Sequence, residues 1–400
     1  MSEQVVQPRI RGFISLTAHP DGCAANVRKQ IDVAQAMAGD SAGSEGLHHV
    51  LVVGSSTGYG LASTLCARFG YGAETVGVCL ERPSEEDRAG SAGWYNLAEA
   101  HRLAAAEGRA LHTINGDAFS HEVKQQVVDY LRARDAQLDL VVYSLASPVR
   151  QDPDSDTTWR SVLKPIGETY TGKSIDLRRG HVVDAHIEPA DEDEVASTVR
   201  VMGGEDWRLW IEALRDGGVL ADGARTVAFS YIGPEVSHAI YRHGTIGRAK
   251  EDLEASAAGL RTELSGSGGG AWVSINKAVV TQASAAIPGV PLYMSMLFDV
   301  MKAQDTHEGP IEQIGRMFRD HLGPGLTPTT DDEGRIRLDD LEMRDDVQAE
   351  VARRWAEVTT ESLAELADFA GYQRYFEQLF GFSVTGIDYE APTEIHRTLA

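Results

Sequence analysis

The chain has 400 residues, 24% charged and 42% hydrophobic, and a formal net charge of -23. The balance is that of a globular enzyme, and a field of this sign repels nucleic acid and anionic lipid at long range, so neither is an expected partner. No apolar run approaches the ~18 residues of a bilayer span, Met-Ser-Glu-Gln lacks the basic and apolar regions of a secretory signal, and Cys23, Cys66 and Cys79 are too scattered for a disulfide framework or a zinc-thiolate site, so a reducing cytoplasm is the expected compartment.

The first strong pattern is the apolar run 49–53, His-Val-Leu-Val-Val, which reads as a buried parallel strand. A Gly-rich turn follows, then a helix over 61–69, a strand over 75–80, a helix over 95–107, a strand over 111–114, a helix over 122–134 and a strand over 138–145. This alternation predicts an α/β fold, a Rossmann-type doubly wound parallel sheet. Residues 150–200 break the rhythm and read as a polar insertion, with the alternating stretch 181–188 as part of a hairpin. The pattern resumes with a helix at 205–216, a strand at 226–231, a helix after Thr245 and a strand at 271–276 behind the flexible Ser265–Gly270 loop. Residues 321–346 read as a surface loop, 346–369 as a helix and 382–389 as a short strand. We expect one elaborated domain over 1–400, with a dinucleotide-binding half at about 45–150, the insertion at about 150–200 and a catalytic segment at about 225–285.

The turn after the first strand is Gly54-Ser55-Ser56-Thr57-Gly58-Tyr59-Gly60. Its glycines allow a tight turn and close approach to a pyrophosphate, which then sits at a helix N-terminus. The Gly-x-x-x-Gly-x-Gly spacing resembles that of the short-chain dehydrogenases. Glu81 ends the second strand, where an acidic side chain accepts hydrogen bonds from the adenosine ribose and repels a 2′-phosphate; this favours NADH over NADPH. A solvated strand-end carboxylate is the alternative, and Arg82 beside it is a residue type that binds a 2′-phosphate. Asp117 and Ala118 follow the third strand as candidate adenine contacts, with Asp117 alternatively the cap of the next helix. Leu145 and Ala146, after the fourth strand, are candidates for the nicotinamide-ribose path.

The segment from Ser230 to Lys250 carries the candidate chemistry. A phenol donates a hydrogen bond and a proton to an oxygen on which charge builds during reduction. Its free pKa is about 10, and a neighbouring ammonium favours the phenolate and can hold the nicotinamide ribose. Short-chain dehydrogenases place such a tyrosine and lysine four apart; here nine positions separate Tyr241 from Lys250. At roughly 100° per residue a straight helix would put them on opposite faces. Gly244 and Gly247 interrupt it, however, and Thr245 is a candidate N-cap, which leaves Tyr241 before the helix and Lys250 in its second turn. A half-buried tyrosine and a surface lysine are the bland alternative.

The Tyr-x8-Lys segment resembles the FabV-type enoyl-ACP reductases and the bacterial trans-2-enoyl-CoA reductases. So do Arg11-Gly-Phe-Ile, Thr17-Ala-His-Pro-Asp-Gly-Cys23, Ser56-Thr-Gly-Tyr-Gly-Leu-Ala62, Gly93-Trp-Tyr-Asn96, Tyr143-Ser-Leu-Ala-Ser-Pro148, Met202-Gly-Gly-Glu-Asp-Trp207, Thr306-His-Glu-Gly309 and Gly381-Phe-Ser-Val-Thr-Gly-Ile-Asp-Tyr-Glu390. The resemblance covers nearly the whole chain. It implies an elaborated short-chain-dehydrogenase-like fold and NADH-dependent reduction of the carbon-carbon double bond of trans-2-enoyl thioesters, on acyl carrier protein or coenzyme A, in fatty acid biosynthesis. It makes Tyr241 the proton donor and Tyr231 the contact to the substrate carbonyl. Lys250, Val279, Val280 and Thr281 become cofactor contacts beside Gly54 to Tyr59, Leu80, Glu81, Asp117, Ala118, Leu145 and Ala146. It also implies a monomer. Glu251 stands where some members carry a second lysine, and Leu80 where an aromatic residue is expected.

A net-negative enzyme acting on anionic carriers needs a local basic patch; Arg178, Arg179, Arg242 and Arg248 are candidates, each of them alternatively a solvated surface residue. No metal site is expected: His48-His49 reads as structural, and His307-Glu308 lacks the second histidine of a zincin motif. Cys23 reads as a small buried residue. Trp207 and Trp210 lie on one helix face and read as core, with an acyl-chain pocket as the alternative. Two competing functions use the same residues: a short-chain-type reductase of 3-oxoacyl thioesters, and an NADH-binding regulator without turnover.

Overall fold

The computed structural model describes residues 3–12, 14–39, 46–86 and 88–399; Phe13 of the Arg11-Gly-Phe-Ile motif lies outside them. Seven parallel strands form the central sheet: β1 (His49–Val53), β2 (Glu74–Cys79), β3 (Leu111–Asn115), β4 (Leu138–Tyr143), β5 (Leu220–Ser230), β6 (Gly270–Ile275) and β7 (Ile336–Arg337). Their spatial order is β3-β2-β1-β4-β5-β6-β7. The order reverses between β1 and β4, the switch point where doubly wound sheets open a crevice beyond their carboxyl ends. After the half-buried His49, β1 is apolar and buried because both sheet faces are covered. On one face lie α1 (Pro20–Ala38), α2 (Gly58–Leu65, continued by a π turn over Cys66–Gly70), α3 (Ala92–Ala106) and a helix at Pro310–Met317; on the other lie α4 (His121–Arg132), α6 (Glu205–Asp216) and α7 (Thr245–Ser265), with α5 (Glu192–Met202) packed on α7.

A third apolar cluster sits beyond the sheet and contains Tyr241. It is built by α8 (Val290–Ala303), α9 (Asp345–Glu357), α10 (Phe369–Gln378) and the hairpin Tyr170–Asp176/His181–Ile187. The insertion thus holds two hairpins, the second at Val149–Gln151/Thr158–Arg160, and a helix. The helix α5 is nucleated by a capping box between Asp191 and Glu194.

Several sequence expectations are corrected. The helix expected over 346–369 stops at Glu357. The β-branched run Val358-Thr359-Thr360 follows, Val358 is extended, and Lys173 satisfies the carbonyls of Trp355, Ala356 and Val358 at 2.8, 2.9 and 3.0 Å. Residues 382–389 form turns rather than a strand. Ser383 and Gly386 have φ of +54° and +87°, and the Phe382 and Tyr389 rings pack on His19. The 321–346 loop contributes β7 to the sheet. Helix α1, unread in the sequence, joins the two terminal motifs: His19 N–H donates to Phe380 O at 2.8 Å, and Gly22 lies so close to Gly381 that a Cβ would stand 1.7 Å from its carbonyl oxygen.

Candidate active site

The sequence-predicted residues gather at the carboxyl ends of β1, β2, β3, β4, β5 and β6. At β1, Gly54 has φ +88°, and a Cβ there would lie 2.6 Å from Ser144 O at the end of β4; a Cβ on Gly60 would lie 1.7 Å from Gly54 O. Only glycine allows this turn. Thr57 caps α2 without a side-chain bond, so the N–H groups of the first turn stay unspent, as a pyrophosphate cradle requires. Ser55 is structural, its hydroxyl donating to Val78 O at 3.2 Å. Tyr59 donates its hydroxyl to Lys277 O at 2.7 Å and so ties α2 to the loop after β6. Thr281 of that loop faces Gly58, with Val279 and Val280 buried just before it.

Glu81 is held by two serines: Ser56 Oγ donates to Oε1 at 2.6 Å, and Ser91 Oγ donates to Oε2. Gly93, in the first turn of α3, makes room, because a Cβ there would lie 2.0 Å from Oε1. The carboxylate therefore rests at a helix N-terminus. Ser91 and Gly93 were not read from the sequence as parts of this site. Leu80 is 74% exposed beside Glu81. Asp117 is not the cap of α4; Ser120 is, accepting from Val123 N–H. Asp117 Oδ1 accepts from Phe119 N–H at 3.0 Å, which shapes the loop. The Ala118 carbonyl accepts from Lys124 Nζ and Trp210 Nε1 at 3.0 and 3.1 Å. Trp207 and Trp210 are fully buried and line the sheet, as the core reading expects. Leu145 is half-buried and Ala146 exposed beyond β4.

Tyr231 directly follows β5, and Tyr241 lies in a turn before α7. Their rings stand edge to face with centroids 5.1 Å apart. Gly244, not Thr245, is the N-cap of α7. The Thr245 hydroxyl is drawn off to Val162 O, and a Cβ on Gly244 would lie 2.6 Å from Ile240 O and 2.8 Å from Lys164 O. Gly247 lets the turn lie flat on the helix, since a Cβ there would be 1.9 Å from Arg242 O. This brings the Tyr241 backbone onto the first turn of α7 and makes the nine-position interval workable. Lys250, half-buried in the second turn, donates to Phe229 O at 3.0 Å.

Burial pushes the Tyr241 phenol well up, with Arg242 pulling against it. The expected help from Lys250 is absent: its ammonium is turned to the end of β5, and burial brings it down to about 8 against the pull of Glu254. The site thus keeps its phenol protonated, as a proton donor requires.

The largest group that the sequence reading missed surrounds Glu342, which is fully buried. Its Oε1 accepts from Tyr231 Oη at 2.9 Å and from Tyr293 Oη at 2.6 Å, and its Oε2 accepts from Ala278 N–H at 2.7 Å. Burial raises its carboxyl, and Lys277 is the strongest opposing influence. Lys277 is itself buried, donates to Ala278 O at 2.9 Å, and is brought down to about 8 by burial. No spacing signal links residues 231, 278, 293 and 342; only the fold does.

Other expectations can be placed. Cys23 is buried, and burial pushes its thiol up. Among the described residues no cluster of metal-ligating side chains exists and no helix is long and apolar enough to cross a membrane. Arg242 and Arg248 are ion-paired with Glu254 and Glu251 at 3.4 and 3.0 Å, and Arg179 lies 3.9 Å from Asp176.

The comparisons agree with this geometry. Residues 88–322 match the trans-2-enoyl-CoA reductase catalytic region, and residues 5–86 match the NAD(P)H binding domain of trans-2-enoyl-CoA reductase. Residues 330–393 match a family described as enoyl reductase FAD binding domain. That segment does not fit a flavin: Ile336, Leu338, Val347, Val351 and Phe376 are spent on core packing and Glu342 on the tyrosines. The chain is 52% identical over 389 residues to an enoyl-[acyl-carrier-protein] reductase [NADH] of Flavobacterium johnsoniae, covering 97% of each. It superposes with a TM-score of 0.94 on a Treponema denticola trans-2-enoyl-CoA reductase in complex with NAD, at 47% identity and 98% coverage of both chains. A Clostridium acetobutulicum trans-2-enoyl-CoA reductase in complex with NADH gives the same TM-score at 40% identity, with 99% of this chain and 100% of that one covered. A glycine cradle, a serine-held acid and paired tyrosines on one sheet edge, with these relatives along its length, place the chain in the trans-2-enoyl-CoA/enoyl-ACP reductase family.

Proposed function

We propose that Tyr241 is the proton donor of an NADH-dependent reduction of trans-2-enoyl thioesters to saturated acyl thioesters. The observation that carries this reading is the edge-to-face pairing of the buried Tyr241 phenol with the half-buried Tyr231 phenol at the carboxyl edge of the sheet, where Lys250 reaches the end of β5. The chain is an oxidoreductase of fatty acid biosynthesis that uses NADH. The residues present fit that cofactor. Gly54, Ser55, Ser56, Thr57, Gly58 and Tyr59 form the pyrophosphate turn, Glu81 takes the adenosine ribose, and Asp117 and Ala118 border the adenine. Leu145, Ala146, Lys250, Val279, Val280 and Thr281 line the nicotinamide end. When bound, NADH supplies the hydride for the β carbon. Tyr241 then stabilises the charge that builds on the thioester oxygen and provides the proton, and Tyr231, whose own proton goes to Glu342, borders the carbonyl and holds Tyr241 by edge-to-face packing. Burial keeps water from the developing charge and keeps both phenols protonated.

The carrier is acyl carrier protein or coenzyme A, and we read the enzyme as a cytoplasmic monomer. Light scattering on a sizing column tests the last point. The chemistry is tested by Tyr241→Phe with crotonyl-CoA. We expect kcat to fall by about 10²- to 10⁴-fold, with NADH still binding as judged by its fluorescence. Turnover within twofold of the unsubstituted enzyme would remove Tyr241 from the mechanism.

A further inference from the structure

A buried carboxylate surrounded by phenols is an expensive arrangement, and apolar side chains of similar volume would pack the same space with no desolvation cost. Glu342 nevertheless sits there, and its three partners come from three different elements: Tyr231 from the end of β5, Ala278 from the loop after β6, and Tyr293 from α8. Tyr231 is the proposed carbonyl contact, and the Ala278 loop runs straight into Val279, Val280 and Thr281. A second layer holds Glu342 itself. Gln348 Nε2 donates to the Glu342 carbonyl at 2.7 Å and to Tyr293 Oη at 3.1 Å. A phenol has one proton, and in this arrangement Tyr231 turns it to Glu342 Oε1. The carboxylate therefore fixes both the place of the Tyr231 oxygen and the direction of its proton. Tyr293, which donates to the same carboxylate oxygen, also lies within hydrogen-bonding reach of that hydroxyl.

We propose that Glu342 is a positioning residue for the reduction, acting through Tyr231: it holds the second phenol in register with Tyr241. The inference rests on the enoyl-reductase reading above. It predicts that removing the Glu342 carboxylate costs turnover only while Tyr231 has a hydroxyl to be held.

The test is a double-mutant cycle on the full chain, with kcat read at saturating NADH and saturating crotonyl-CoA so that changes in affinity drop out. Folded sites are counted by NADH stoichiometry. Glu342→Gln is expected to lower kcat by about tenfold to a hundredfold. In a Tyr231→Phe background the same substitution should leave kcat within twofold of Tyr231→Phe alone. A purely structural role would instead give the same fractional loss in both backgrounds, and that result would overturn the proposal; so would a kcat for Glu342→Gln within twofold of the unsubstituted enzyme. Should Glu342→Gln fail to fold, Glu342→Asp keeps the charge facing Lys277 and withdraws the acceptor by one methylene, and it is read by the same cycle. Absence of crotonyl-CoA turnover in the unsubstituted enzyme would sink the enoyl-reductase reading itself, and this inference with it.

Discussion

Glu81 owes its position to Ser56, Ser91 and the missing side chain of Gly93. Two hydroxyls and a helix N-terminus hold the carboxylate in place, so little conformational freedom remains to be lost when a ribose docks. A charged hydrogen bond contributes about 1.5–3 kcal/mol, and the same charge repels a 2′-phosphate. Glu81→Ala is therefore expected to lower the NADH-over-NADPH ratio of kcat/KM by about ten- to a hundredfold, checked by steady-state kinetics with both cofactors. An unchanged ratio would mean that Arg82 or the backbone sets the preference. Lys250 makes a pH-dependent contribution whose sign is fixed by burial. Its folded-state pKa is about 8, below the 10.5 of a free lysine. Below pH 8 both folded and unfolded chains hold the proton, and the folded chain bears the full cost of burying it. Between about pH 8 and 10.5 the unfolded chain holds more protons, so this contribution to stability rises with pH. Lys250→Met removes the buried charge. It is expected to be more stable than the unsubstituted chain at pH 7 by on the order of 2–3 kcal/mol, an advantage that shrinks as pH rises from 8 to 10.5. Urea midpoints at several pH values check the trend, and a constant difference would contradict it.

At the scale of elements, the loop after β3 is fixed by a buried ion pair. Lys124, 2% exposed, reaches Ala118 O, Phe119 O and Asp206 Oδ1 at 3.0, 2.9 and 2.8 Å, and Tyr143 Oη donates to Asp206 at 3.1 Å. Asp206→Ala leaves that ammonium buried without its partner, a change that costs about 3–5 kcal/mol. NADH affinity should weaken as well, because the Ala118 loop is anchored through the same lysine. Adding Lys124→Met should recover much of the lost stability; denaturant midpoints of the single and double variants decide, and no recovery would point to a packing effect. The sheet strands β1 to β6 and the helices over 95–107, 122–134 and 205–216 were legible in the sequence because each is a local pattern, an apolar run or an apolar stripe at helical period; the two-residue β7 was too short to show one. Tyr231 came only from the family resemblance, whereas the glycine turn, Glu81, Tyr241 and Lys250 were legible as candidates because chemistry and spacing coincide within short segments. Glu342, Tyr293 and Lys277 were not, because their meaning comes from a close approach of residues 49 to 111 positions apart. Thr245 was misread as a cap because its hydroxyl finds a partner 83 positions away. The strand expected at 382–389 failed for a related reason: its apolar residues pack around His19 at the other end of the chain.

At the scale of the whole molecule, one sheet draws strands from residues 49 to 337, and the apolar cluster beyond it that contains Tyr241 is closed by α8, α9 and α10. We propose that the chain is a single elaborated domain, since the segment carrying Glu342 is part of the site wall. The net charge of -23 then acts on every approaching substrate. Coenzyme A and acidic carrier proteins are anions. The arginines nearest the catalytic turn, Arg242 and Arg248, are already ion-paired with Glu254 and Glu251, so they form no strong local patch to offset the global repulsion. Salt shortens the reach of that repulsion from about 30 Å at 0.01 M to about 8 Å at 0.15 M. The kcat/KM for crotonyl-CoA is therefore expected to rise between these ionic strengths, while kcat, which is insensitive to encounter, stays level. A fall in kcat/KM over the same range would mean that a local cluster of cations dominates the approach. In that case Arg178→Ala and Arg179→Ala, on the exposed turn of the Tyr170–Asp176/His181–Ile187 hairpin, should flatten the salt dependence, and Arg248→Glu should steepen any remaining repulsion for the acyl carrier protein and coenzyme A substrates alike.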